Sequence, residues 1–233
     1  MTTTAEVLGA LEGVRDPELD QNLVELGFVA DVEVGHAPGT VSVHLRLPTY
    51  FCAPNFAFLM VADAREAVEA LPGVRRAHVA LDDHFTAKEV TDAVDRGEGF
   101  GRAFPGEAHD DLDDLRTLFR RKALAARQSR ICDALLAEGR TYAELAELRL
   151  ADLPPGEDGE RVRELREVLG LDARPDAPAI VAGDGSAVTA ADVHRLLRMG
   201  RLVAVSLEGN AGLCRGLLAT RYGLAETEQE GVT

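Results

Sequence analysis

The sequence predicts an α/β (α+β) protein: a small α-β-β-α-β domain, then a mainly helical segment and a small C-terminal α/β element. Three observations carry this. Val41, Val43, Leu45 and Leu47 alternate with polar residues, the period-two pattern of a half-buried strand. Apolar residues on either side, in 2–14 and 54–71, recur instead at helical spacing. Beyond residue 112 a long amphipathic run takes over.

The elements follow in order. Thr3 and Glu6 stand at capping-box spacing ahead of Val7, Leu8 and Leu11, so 2–14 reads as a helix. Pro17 and the acids around it break that helix, leaving Leu19, Leu23, Val24 and Leu26 to form a short turn against the core. The stretches 28–34 and 40–47 read as a hairpin across the turn "GHAPG". A helix over 54–71 opens with Pro54, whose missing N–H has no partner to lose at a first helical position. A third strand follows at 75–81.

The division is then expected as a domain over 1–97, a Gly-rich linker over 98–110, a C-terminal domain over 111–224 and a flexible tail over 225–233. The long helix 112–139 carries an apolar stripe of Leu115, Leu118, Ala125, Ile131 and Leu135, with Gly139 at its C-terminal cap. Helices at 141–148 and 157–170 flank the Pro154–Pro155 pair. The remainder reads as a buried strand at 177–185, a helix at 189–200 capped by Thr189, a strand at 201–209 and a final helix at 210–224. "GDGSAVT" (183–189) lacks the Gly-Lys-Ser/Thr ending of a phosphate loop and reads as a turn.

Asp and Glu outnumber Lys and Arg 40 to 25, a formal charge of −15. Such a field repels phosphate backbones and argues against nucleic acid, while it suits a basic patch on a partner protein. The opening residues lack the basic-then-apolar order of a signal peptide, and no apolar run approaches the ~18 residues that span a bilayer. A cytoplasmic location without a membrane partner is therefore expected, with Cys52, Cys132 and Cys214 as free thiols.

Cys52 lies where the second strand stops and a helix begins, a position that displays a thiol and lowers its pKa through the helix N-terminus. A small buried packing residue is the competing reading. Cys214 reads as lying in the first turn of the last helix, where its thiol is acidified in the same way; packing beside Leu213, Leu217 and Leu218 is its alternative. Cys132 reads as core. His44, on the outward face of its strand, and His84, just past the third strand, are candidate ligands, or bases if Cys52 is a nucleophile. Asp16, Glu18 and Asp20 form an acidic corner around Pro17.

These residues carry a resemblance. "RDPELDQNLVELGFVADVEV", "VSVHLRL", "PTYFCAPN" and "LPGVRRAHVAL" resemble the SufT/PaaD-like iron–sulfur assembly domain, which also occurs in the eukaryotic cytosolic iron–sulfur targeting factor. The family's Asp-Pro-Glu corner is matched by Asp16, Pro17 and Glu18, its loop cysteine by Cys52, and a threonine ahead of it by Thr49. The departure is Ala53, where the family commonly has proline, serine or glycine, and the aromatic pair Tyr50–Phe51 before the cysteine.

The resemblance implies a non-enzymatic role, the insertion or delivery of an iron–sulfur cluster or iron into a client metalloenzyme. It implies client proteins or other assembly proteins as partners. Relatives with a long C-terminal extension resemble accessory proteins of multicomponent di-iron monooxygenases, which implies such a client. A single thiolate does not hold a cluster, since about four ligands are needed. A homodimer, a further residue or transient holding must therefore complete the site. A Cys52-dependent enzyme and a metal-free interaction module are the rival readings.

Overall fold

Helix α1 (Thr4–Glu12) begins where the capping box places it: Thr3 Oγ1 accepts from the Glu6 N–H at 3.3 Å, and Glu6 Oε2 accepts from the Thr3 N–H at 2.8 Å. The computed structural model describes residues 2–35, 37–106 and 112–224. Strands β1 (Val29–Val34) and β2 (Thr40–Arg46) pair antiparallel, and helix α2 (Pro54–Glu69) crosses over to β3 (Arg76–Asp82), which lies parallel to β2. The sheet order is β1-β2-β3, so β2 is central.

Side-chain alternation decides which face is covered. Val41, Val43 and Leu45 of β2 and Ala77, Val79 and Leu81 of β3 are buried, whereas most of β1 is exposed, as suits an edge strand. Against them α2 turns Ala57, Met60, Val61, Ala64 and Val68, and α1 adds Val7 and Leu11. Helix α3 (Ala87–Asp95) and the short α4 (Phe100–Ala103) close this core with Val90, Val94 and Phe100.

The described residues form two compact units, one running to Leu112 and resuming at Asn210, the other Asp113–Gly209. In the second unit α5 (Asp113–Ala137), α6 (Tyr142–Glu147), a 3-10 turn at Leu150–Asp152 and α7 (Glu157–Val168) pack around Leu124, Ile131, Leu145, Leu150 and Leu165. Buried Arg127 ties α5 to the start of α7, 2.8 Å from Glu157 and 2.9 Å from Asp158. Leu118, expected on the buried stripe of the long helix, is 50% exposed.

Two strands expected near the C-terminus are absent among the described residues. The stretch 177–185 makes only isolated bridges, Arg149 with Pro178 and Val181 with Ala187. Residues 201–209 are helical: one helix, α8 (Ala190–Tyr222), runs through them without a break. "RLVAVSLEG" has strand-like alternation, but its backbone bonds are satisfied internally by an uninterrupted helix. The Thr189 cap holds, with Thr189 Oγ1 donating to Asp192 Oδ2 at 2.7 Å. By length and mean hydropathy α8 could cross a membrane, yet its second half packs on the first unit through Ala211 and Leu218. The expected tail 225–233 lies outside the described residues.

Glycines inside α8 differ in their surroundings. A Cβ on Gly200 would meet the Ala125 carbonyl oxygen at 2.6 Å and Ser129 Cβ at 2.7 Å, so this glycine permits close helix approach. A Cβ on Gly212 or Gly216 would meet nothing within 4 Å beyond the helix's own backbone. Gly212→Ala and Gly216→Ala are expected to stabilise the protein by about 0.5–1 kcal/mol each by urea unfolding, since alanine costs less entropy in a helix. Gly200→Ala is expected to destabilise it.

Candidate functional site

Because β2 and β3 are parallel, the loops that leave their C-terminal ends emerge at the same edge of the sheet. The first loop carries Thr49, Tyr50, Phe51 and Cys52; the second carries Asp83, His84 and Phe85. Hydrogen bonds lock them together. The Phe85 N–H donates to the Tyr50 carbonyl at 3.1 Å, and His84 Nε2 lies 2.8 Å from the Cys52 carbonyl oxygen.

The Thr86 N–H approaches His84 Nδ1 at 3.3 Å, so Nδ1 accepts and the ring proton sits on Nε2, donated to Cys52. Burial lowers the His84 pKa, which keeps the ring neutral. Both ring nitrogens are thus engaged in holding the loop. Cys52 itself stands just before Ala53, the N-cap of α2, with its Sγ 3.3 Å from Thr49 Oγ1. It is half-buried against the first unit's core.

Around this thiol lies an exposed aromatic cluster. Tyr50 and Phe51 meet edge-on at 5.0 Å between centroids, and Phe85 lies 5.8 Å from Phe51. These rings are 48%, 76% and 44% exposed for Tyr50, Phe51 and Phe85. In a chain with only 5% aromatic residues, three exposed rings beside one cysteine are a concentrated apolar surface.

The acidic corner folds inward at Asp16. Asp16 Oδ1 accepts from the N–H groups of Glu18 at 2.8 Å and Leu19 at 2.9 Å, which shapes the turn and seats Leu19 in the core. Asp20 closes the turn with a φ of 53°. Burial pushes the Asp16 carboxyl up to about 6, with the Glu18 charge adding to the rise and the two backbone bonds opposing it.

The sign for stability follows. The folded value lies above the ordinary 3.8, so the unfolded chain loses this proton first and stability falls as pH rises from about 4 to about 6. Asp16→Asn keeps an acceptor for both N–H groups and does not ionise. It is expected to be more stable than wild type above pH 6, by about 1–3 kcal/mol, with the advantage vanishing near pH 4. Unfolding curves at several pH values check this, and a gap that does not change with pH contradicts it.

Cys214 is not in a first helical turn. It lies deep within α8, where no free backbone N–H group faces it, and its thiol is pushed up to about 11 by burial and by the charges of Asp16, Cys52 and Glu18. The expected acidification is therefore reversed. Cys214 and Cys52 both pack, partly buried, against the first unit's core. His44 stands elsewhere, on the outward face of β2, paired with Asp82 at 3.1 Å. Cys132 is fully buried in the second unit, its thiol pushed up to about 12 by burial.

Phe85 and Arg221 escaped sequence reasoning. The parallel crossover signals Phe85, because it sends 49–52 and 83–86 to the same edge. Arg221 had no local signal; it reaches the Leu47 carbonyl at 3.1 Å and the Asp83 carbonyl from far along the chain. Among the described residues, no three His, Cys, Asp or Glu side chains are gathered to hold a metal on their own.

Comparison with known proteins gives a consistent picture. Residues 4–80 match the family described as iron–sulfur cluster assembly protein. An uncharacterized protein of Methanocaldococcus jannaschii is 33% identical over 98 residues, 42% of this chain and its own whole length. An iron–sulfur cluster carrier protein of Synechocystis is 47% identical over 81 residues, 35% of this chain and 22% of its own. An Fe–S protein maturation auxiliary factor of Porphyromonas gingivalis is 33% identical over 82 residues, 35% of this chain and 74% of its own. The chain thus spans the archaeal relative completely and the carrier only in small part. No solved structure matches. The functional names describe carrying and maturation, not conversion of a substrate. Through its N-terminal region this chain belongs to the iron–sulfur cluster assembly protein family.

Proposed function

We propose that the chain is a maturation factor that helps to load an iron–sulfur cluster or iron into a client metalloenzyme, using Cys52 as the transient thiolate contact with the cargo. The observation that carries this is the Cys52 loop, pinned by His84 and Thr49 and ringed by Tyr50, Phe51 and Phe85. A held thiol with an apolar collar offers the cargo a soft ligand and the client a docking face at the same edge.

Asp16 and Glu18 shape the adjoining surface. The acidic balance of the chain favours a client with a basic patch, and the site of action is the cytoplasm. The client class suggested by the extended relatives is a multicomponent di-iron monooxygenase. Among the described residues, the two histidines considered as bases for Cys52 are otherwise engaged: His84 donates to the Cys52 carbonyl oxygen, and His44 is paired with Asp82.

Radioactive iron supplied to cells with and without the chain tests the proposal. Client proteins should acquire less iron in its absence, with their polypeptide levels unchanged. Equal iron loading in both strains rules the proposal out.

A further inference from the structure

Helix α8 has a second apolar face. At about 3.6 residues per turn, Val193, Leu197, Ala204, Ala211 and Leu218 share one side of the helix, and all five are buried. Met199, Leu202, Val205, Leu213 and Leu217 share the opposite side, where they are 40 to 69% exposed. Every other position on that side between 199 and 220 is Ser, Thr or Gly, so a strip about 33 Å long carries no charge. A helix with a core on one side ordinarily turns charged residues to the other; an uncharged outer face marks a surface that another helix covers.

We propose that this face of α8 is a homodimer interface, on which two copies of the chain pair antiparallel about Gly209. The proposal goes beyond the maturation role and does not depend on it. The order of bulk along the strip supports it. An added Cβ on Gly209, Gly212 or Gly216 would meet nothing within 4 Å beyond the helix's own backbone, so the room above these positions is unfilled by the chain itself. Antiparallel pairing about Gly209 sets Leu202 over the partner's Gly216, Ser206 over the partner's Gly212 and Val205 beside the partner's Leu213. Each helix then fills the space that the other leaves, the self-complementarity of a two-fold interface.

Charge sets the same direction. Arg195, Arg198 and Arg201 stand at the N-terminal end of the strip, all exposed. At its C-terminal end lies exposed Asp83, whose carbonyl accepts from Arg221, and the sequence continues past α8 with Glu226, Glu228 and Glu230. Antiparallel pairing brings the arginines of one copy to the acids of the other, whereas parallel pairing sets like against like. Opposed helix dipoles favour the same arrangement. A lipid surface fits the strip less well, because a formal charge of −15 is repelled by anionic headgroups and the opposite side of α8 is taken up by protein core. The strip is one helix wide, so the interface is small and the dimer should depend on concentration.

Sedimentation velocity on the full chain over a wide concentration series should show monomer passing to dimer. Leu202→Glu and Leu213→Glu place a charge at positions exposed in the single chain, so each should keep the circular dichroism of wild type. Each should weaken the dimer by roughly tenfold or more, since the charge is buried without a partner. Phe51→Ala, in the Cys52 loop, should leave dimerisation unchanged. Mild oxidation reads the direction of pairing in a Cys52→Ser, Cys214→Ser background. Gly209→Cys meets its own counterpart and should cross-link; Leu202→Cys should not, because its counterpart lies about 21 Å away along the helix. A wild type that stays monomeric throughout, or a dimer insensitive to both glutamates, overturns the proposal. Cross-linking at Leu202→Cys and not at Gly209→Cys overturns it as well. If wild type stays monomeric and Leu202→Glu instead abolishes flotation with phosphatidylglycerol vesicles, or capture of a client, the strip belongs to that partner and the homodimer falls.

Discussion

Cells carrying Cys52→Ser should load their client metalloenzymes with no more iron than cells that lack the chain altogether. The reason is chemical. Serine preserves the size and the contact with Thr49 Oγ1, 3.3 Å away, but a hydroxyl does not ionise near neutral pH and is a hard, weak ligand for iron. The loop is held by the bond from His84 to the Cys52 carbonyl and by the Phe85–Tyr50 backbone bond, neither of which involves the thiol. Folding stability should therefore change by about 1 kcal/mol or less. Radioiron counting of immunoprecipitated clients, beside urea unfolding of the purified variant, separates loss of function from loss of fold. Wild-type loading by a folded Cys52→Ser protein contradicts the role given to the thiol.

The second large effect is expected at the aromatic collar. Phe51 is 76% exposed, so Phe51→Ala removes little that the fold depends on. An exposed aromatic ring that becomes buried in a partner is a typical anchor, worth about 2–4 kcal/mol on truncation. That corresponds to a client affinity weaker by a factor of roughly 30 or more. Tyr50→Ala and Phe85→Ala should act in the same direction, and the three should not be additive because the rings touch one another. Quantitative capture of the client from cell extract by wild type and variant measures this. Undiminished capture by the triple variant would show that the client docks elsewhere.

Much of the first unit was legible because local signals agreed with one another. The Thr3–Glu6 box, the alternation through Val41, Val43 and Leu45, and Pro54 at a helix start each name one conformation, and the fold adopts all three. Cys52 was legible as a loop thiol for the same reason. The far end of the chain was harder. The residues 201–209 fit either a strand or a helix by pattern, and a short window does not show that they continue the helix begun at Ala190. The error carried to Cys214: a strand ending at residue 209 puts this thiol at a helix start, whereas a continuous α8 removes the dipole and leaves burial to raise its pKa. The reach of Arg221 to Leu47 and Asp83 spans more than 130 positions and so had no sequence signal.

Transfer of a cluster to an apo-acceptor in a purified, anaerobic system tests the central claim most directly. The chain is offered iron and sulfide, separated from excess reagent, and mixed with an apo iron–sulfur protein whose activity returns only when its cluster is restored. Wild type should restore that activity faster than free iron and sulfide at equal concentration, and Cys52→Ser should give no acceleration. Equal rates with wild type, Cys52→Ser and no added chain would contradict the account.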